Sequence, residues 1–277
     1  MTARRDPPAG VPPGSAAQML TYVYAVTPDV PPPVPGPVLT GVAGRPVGFL
    51  RLPGSGPVAF AVSTVPASKW NEHALRAHFE DLEWLQDTAR AHHRVVESLA
   101  ARTTVLPMRM ATLYDSRARA LEALAGQAET FAVQLARLSG RTEYGVKIYM
   151  SPVADAPAPA DTDTGPGRAY LQARRVRQRT LQEHYGQAQV AADRIAEAGR
   201  RWADGHACHP VQSGPLTAGT AEENVLNDAY LVAVDRAAQF RAAVEDAARH
   251  LPGVRLEVTG PWAPYSFAAP STPPPEP

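Results

Sequence analysis

The chain has 277 residues, room for one large or two ordinary domains, and 44% of them are hydrophobic, so a sizeable core is available. Lys+Arg and Asp+Glu number 27 each, and a formal charge of zero provides no global field to draw the protein onto nucleic acid or an anionic membrane. A single cysteine, Cys208, excludes a disulfide scaffold. The opening Met1–Gly14 has early arginines but Pro and Gly where a secretory signal has its apolar stretch, and no apolar run approaches the roughly 20 residues of a spanning helix. The expectation is a soluble, intracellular protein.

Pro-rich, weakly apolar tails occupy residues 1–18 and 269–277, and composition of this kind does not bury enough surface to order itself. Tyr22–Val26 is a short β-type run stopped by Thr27-Pro28. Val47–Leu52 and Val58–Val65 follow, separated by the turn residues Pro53–Pro57, and the three runs predict a small antiparallel sheet. The period then lengthens to 3.6: Leu75, Phe79, Leu82, Leu85, Ala89, His92, Val96 and Leu99 form one continuous helical stripe. Thr104–Leu113 contains Pro107 and reads as strand or extended loop. A second helix starts at the N-cap Ser116, carries Leu121, Leu124, Ala128, Phe131, Leu135 and Leu138, and stops at Gly140.

In the second half, Tyr144, Val146, Ile148 and Met150 alternate with smaller or polar neighbours, which predicts a strand over 143–150. Residues 151–167 read as a flexible insertion. A long helix is expected from Arg168 to Trp202, with Leu181, His184, Ala188, Ala191, Ile195, Ala198 and Trp202 buried. Strands near 206–213 and 224–234 precede a helix capped by Asp235, with Ala237, Phe240, Val244, Ala247 and Leu251 on its inner face. Val254, Leu256 and Val258 make a last strand. The order β-α-β-β-α-β predicts an α+β fold with helices on one face of an antiparallel sheet, as in ferredoxin-like domains.

Three constellations invite chemistry. His92 and His93 lie on the first long helix with Glu97 four positions on, but without the His-Glu-x-x-His spacing that turns two imidazoles to one face, and a packed histidine pair is the plainer reading. His206, Cys208 and His209 are the densest ligand cluster. On a strand the first two share a face and His209 points away, so an edge or core strand is expected and no metal site is assigned. Arg168, Arg174, Arg175, Arg177 and Arg179 spread round the start of the long helix with only Tyr170 near them, which suits a solvated face better than a nucleic-acid surface. Nucleophile elbows, Walker loops and dinucleotide-binding glycine motifs are missing, so no catalytic or cofactor-binding residue is assigned. The rival reading is an enzyme or small-ligand protein with a closed pocket around one of the histidine groups.

Several stretches together resemble the GvpL/GvpF family of gas vesicle proteins. They are Tyr22–Val26; Asp81-Leu82-Glu83-Trp84-Leu85 with Ala91–Val96 and Val105-Leu106-Pro107-Met108-Arg109; Gly140–Tyr149; and the ending Leu256-Glu257-Val258-Thr259-Gly260-Pro261-Trp262-Ala263-Pro264-Tyr265-Ser266-Phe267. The family usually continues Pro-Leu-Arg-Phe-Gly-Thr where this chain has Pro107-Met108-Arg109-Met110-Ala111-Thr112. A positive φ at that glycine's position would strain Ala111, so either the turn differs or φ is negative here. The resemblance implies an N-terminal α/β domain over 19–141 and a ferredoxin-like domain over 142–268. It also implies a non-enzymatic assembly factor or minor vesicle component, in the cytoplasm and at the gas vesicle. Its partners would be the apolar shell protein, whose aggregation it would limit in a chaperone-like way, and other accessory proteins, with no nucleic acid, membrane, cofactor or metal. Pro107, Arg109, Glu143, Lys147, Trp262, Pro264 and Tyr265, all in the resembling stretches, are the expected partner-binding residues.

Overall fold

The computed structural model describes residues 18–29, 39–54, 56–152, 166–211 and 222–269. The expected tails and the 151–167 insertion thus lie almost wholly outside the described residues. The first sheet contains β1 (Met19–Pro28), β2 (Gly48–Arg51), β3 (Val58–Pro66), β4 (Leu106–Pro107) and β5 (Leu113–Tyr114). Its order is β2-β3-β1-β4, all antiparallel, with β5 also on β1. The stretch around Pro107 therefore contributes two short strands to the sheet.

β1 is buried on both faces, and its side chains are sorted by a bulge between Val23 and Ala25. Strict alternation would put Val26 on the face of Tyr22 and Tyr24. The extra residue shifts the phase, so Val26 joins Val23 in one cluster while Tyr22, Tyr24 and Ala25 enter another. The second cluster is covered by α1 (Ala67–Trp70), α2 (Glu72–His78) and α3 (Leu82–Ala100). The continuous stripe expected over 75–99 is in fact broken. The Asp81 carboxylate accepts from the Glu83 and Trp84 amides and starts a new helix, leaving Phe79 and Leu82 exposed.

α4 (Arg117–Leu138) has the expected limits: Ser116 Oγ accepts from the Arg119 amide, and Gly140 takes φ 66° just beyond the end. Its buried stripe belongs to one cluster with Val23 and Phe60 of the first sheet and Ala229, Leu231 and Phe267 of the second half. The two sheets are therefore joined through a shared apolar layer.

The second sheet has the order β7-β8-β6-β9, all antiparallel, from β6 (Arg141–Met150), β7 (Gly205–Cys208), β8 (Glu223–Ala233) and β9 (Val254–Trp262). Between them run α5 (Pro166–Trp202) and α6 (Ala237–Ala247). Tyr144, Val146, Ile148, Tyr230 and Val232 face these helices, meeting Ala188, Ala191, Ile195, Phe240 and Val244. Two local expectations are corrected. Asp235 lies within a short 3-10 turn, Val234–Arg236, and α6 begins after Arg236 with no side-chain cap. On α5 burial starts only near His184, and Leu181 stays exposed because its turn lies beyond the end of the sheet contact.

Candidate functional site

The ending that carries the sequence resemblance lies where the two sheets meet, and it is held from four directions. On α3, Glu97 Oε1 accepts the Ala263 amide at 2.9 Å. On β6, the Thr142 hydroxyl donates to the Trp262 carbonyl at 3.0 Å, and the Glu143 carboxylate accepts both the Ser266 amide at 2.8 Å and the Ser266 hydroxyl at 2.7 Å. With its proton given to Glu143, Ser266 Oγ accepts from His209 Nε2 at 2.9 Å. From α4, Arg137 donates to the Phe267 carbonyl at 3.0 Å. Ala263, Pro264 and Phe267 are buried beneath these bonds. The bonds to Ala263 and Phe267 and those between Glu143 and Ser266 satisfy part-buried polar groups that would otherwise be costly, by about 1–3 kcal/mol.

Gly260 makes the approach possible. Its φ is 112°, the Gly260–Pro261 peptide is cis, and a Cβ at this position would stand 2.7 Å from the Glu143 carbonyl oxygen. Burial pushes the Glu143 carboxyl above its ordinary range, against the opposing pull of the Ser266 bonds. Burial likewise raises the Tyr265 phenol, whose oxygen finds no hydrogen-bond partner among the described residues.

Beside this clasp runs an apolar groove of about 450 Å³, lined by Glu97, Ala101, Val105, Leu138, Tyr144, Trp262 and Pro264 among others. Trp262 lines it while 41% exposed, and Pro261 before it is exposed too, whereas Ala263 and Pro264 after it are buried. The His93 ring lies 5.5 Å from Trp262 and 6.1 Å from Tyr265, so α3 supports both aromatics.

His92 has a different task. It is 3% exposed, with Nδ1 2.8 Å from the Tyr22 hydroxyl and Nε2 3.1 Å from the Met108 carbonyl. A carbonyl only accepts, so Nε2 carries the proton and Nδ1 accepts from Tyr22. The Tyr22 oxygen in turn accepts from the Ala111 amide at 3.1 Å. Burial lowers the His92 pKa to about 4, which keeps this neutral arrangement at ordinary pH. Ala111 takes φ 62°, which corrects the expectation of a negative φ there: the residue accepts the strain and is held by the bond from its amide to Tyr22.

Of the expected partner-binding residues, Glu143, Trp262, Pro264 and Tyr265 are brought together at the clasp. Pro107 is buried in β4 opposite Ala25, and Arg109 is exposed just beyond it. Lys147 lies farther along β6 between Asn227 and Glu257. The arginines at 168, 174, 175, 177 and 179 are exposed on the first turns of α5, where Arg179 pairs with Glu183 at 3.2 Å. His206 and Cys208 do share a face of β7, and His209 does point elsewhere, to Ser266. Asp228 completes that group from β8, at 2.8 Å from His206 Nε2. Sequence reading missed it because strand register, which brings it there, has no local signal. Among the described residues no helix is long and apolar enough to cross a membrane.

The fold and site define a mixed α/β protein of two antiparallel sheets, locked at their junction by a C-terminal clasp with an apolar groove at its side. The chain belongs to the gas vesicle synthesis proteins GvpL/GvpF, whose family pattern matches residues 20–269. It is 39% identical over 254 residues to gas vesicle protein L of Streptomyces sp. (strain CB03234), covering 90% of this chain and 92% of that protein. Against gas vesicle protein F of the same strain it is 27% identical over 261 residues, covering 90% and 99%. The fold matches the crystal structure of GvpF from Anabaena sp. PCC7120 with a TM-score of 0.61 at 20% identity, over 92% of this chain and 98% of that one. GvpF from Microcystis aeruginosa matches with a TM-score of 0.58 at 19% identity, over 90% and 99%.

Proposed function

We propose that this protein is a non-enzymatic gas vesicle assembly factor of the L type that holds the apolar shell protein at the groove beside Trp262. The observation that carries this reading is the exposure of Trp262 at the groove, next to the buried Ala263 and Pro264. A large aromatic on the lip of an apolar groove is the kind of anchor that dominates binding energy at protein interfaces. Glu143, Pro264 and Tyr265 act from beneath by fixing the shape of that surface, while Pro107 shapes the first sheet away from it and Arg109 and Lys147 supply polar contacts at more distant points. Covering an unassembled, apolar subunit in this way limits its aggregation, a chaperone-like role in the cytoplasm and at the vesicle, alongside other accessory proteins.

On this reading residues 19–141 and 142–268 are two domains, the second ferredoxin-like in its strand order. The absence of catalysis is supported by the occupation of the ionisable groups: His92, Glu97, Glu143 and His209 all serve in bonds that hold the structure. Co-expression of the full chain with the shell protein tests the proposal. The wild type keeps the shell protein soluble and co-purifies with it, and Trp262→Ala reduces recovery roughly tenfold or more while the chain remains folded, as for a loss of at least about 1.4 kcal/mol at a hot spot. Recovery unchanged by Trp262→Ala removes the groove from the account, and a wild type that neither binds nor solubilises the shell protein removes the function.

A further inference from the structure

At the outer edge of the second sheet, away from the groove, His206, Cys208 and Asp228 direct one ligand atom each toward a common point. β7 and β8 pair with His206 opposite Tyr230 and Cys208 opposite Asp228, and residues two apart on a strand share a face. The register thus delivers all four side chains to one side of the sheet. The imidazole nitrogen, the sulfur and the carboxylate oxygen lie within 4.8 Å of one another. His206 Nε2 is 2.8 Å from Asp228 Oδ2 and 3.7 Å from Cys208 Sγ. Two contacts set the directions of these groups. The His206 ring stacks on Tyr230 at 4.7 Å and 18°, and the Tyr230 hydroxyl donates to Asp228 Oδ2 at 3.4 Å. His206 and Cys208 are exposed and Asp228 partly so, which leaves an approach for a hydrated ion.

We infer that His206, Cys208 and Asp228 form a binding site for a divalent transition-metal ion, with Zn²⁺ the best match. A thiolate and an imidazole are poor ligands for Mg²⁺ or Ca²⁺, which take oxygen, and suit the borderline-soft Zn²⁺. A tetrahedral ion about 2.0–2.3 Å from its ligands holds them about 3.3–3.6 Å apart. The sulfur–nitrogen pair already has nearly that spacing, and the nitrogen–oxygen pair reaches it by a small rotation of Asp228. Thiolate and carboxylate together balance the charge of the ion. Binding releases the Cys208 proton, and the single ring proton of His206, now on Nε2 toward Asp228, moves to Nδ1 by exchange with water, so the imidazole stays neutral. Water fills the fourth position. A bound ion would pin the short edge strand β7 to β8.

Titration of the full chain with Co²⁺, whose thiolate complexes absorb by sulfur-to-metal charge transfer, tests the site. The expected result is one equivalent bound with that band, displaced by Zn²⁺. Cys208→Ser abolishes the band, Asp228→Asn and His206→Gln weaken binding at least about tenfold, and His209→Gln leaves it unchanged. Far-ultraviolet circular dichroism of each variant separates lost binding from lost fold. The rate of Cys208 alkylation in the wild type gives a second measure and falls when Zn²⁺ is added. A wild type with no charge-transfer band in excess Co²⁺, equal alkylation with and without Zn²⁺, or undiminished binding in Cys208→Ser would each overturn the assignment.

Discussion

The two sheets are stabilised in different ways. In the second, Tyr144, Val146, Ile148 and Val232 meet Ile195, Phe240 and Val244 in a core of apolar contact, with Tyr230 turning its hydroxyl out to Asp228. In the first, the face covered by α1, α2 and α3 contains a buried polar chain: Ala111 amide to Tyr22, Tyr22 to His92, His92 to the Met108 carbonyl. A second polar set lies beside it, in which the Val42 amide donates to the Tyr24 hydroxyl, Tyr24 to Ser63 and Ser63 to the Pro46 carbonyl. Apolar packing is non-directional and supplies bulk stability. A buried hydrogen-bond network admits one arrangement, since each unpaired member is costly, and here it ties the loop after β4 to the centre of the sheet.

The largest effect expected from this contrast is in the apolar core. Phe240 is fully buried with its ring 5.3 Å from Tyr230 and 5.6 Å from Tyr144, so Phe240→Ala costs about 3–5 kcal/mol in urea denaturation, with little dependence on pH. The polar core, by contrast, is pH-sensitive. His92 has a folded pKa of about 4 against about 6.5 unfolded, so the unfolded chain takes up the proton first on acidification. Stability from this group is complete above about pH 6.5 and is lost as pH falls toward about 4, by about 3 kcal/mol in all. Glu143, raised by burial, acts with the opposite sign: its contribution is greatest below the unfolded carboxyl value and is lost as pH rises through the folded one. Urea midpoints of Glu143→Gln, which removes the opposing group, across the range from about pH 7.5 to about pH 4 read the His92 contribution, and a flat profile in that variant breaks the comparison. The smallest effect is a gain. Ala111→Gly relieves a positive-φ alanine at the end of the polar chain and stabilises by about 0.5–1 kcal/mol after the added freedom of the unfolded chain is counted, measurable as a rise in Tm.

Where local rules act alone, the fold was legible. Alternation over 143–150 marked β6, and Ser116 and Gly140 marked the ends of α4 through cap chemistry that requires only neighbouring residues. The break at Asp81 was hidden because Leu75, Phe79, Leu82 and Leu85 keep helical phase across it, so periodicity alone reads through a carboxylate that in fact caps a new helix. The site was legible as a motif and not as a mechanism. Trp262 and Glu143 were picked out, yet the bonds that organise the clasp span separations of 57 to 166 residues, from His209–Ser266 to Glu97–Ala263. Asp228 was missed for the same reason, since register across β7 and β8 decides what faces Cys208.

Hydrogen exchange of the full chain, with and without the shell protein, tests the central claim most directly. Bound shell protein is expected to slow exchange at the amides lining the groove, at 101–105, at 140–144 and at Trp262 and Ala263, and to leave the exposed first turns of α5 unchanged. Protection confined to α5 or to the outer strand β2, or no protection in a complex shown to form, would contradict it.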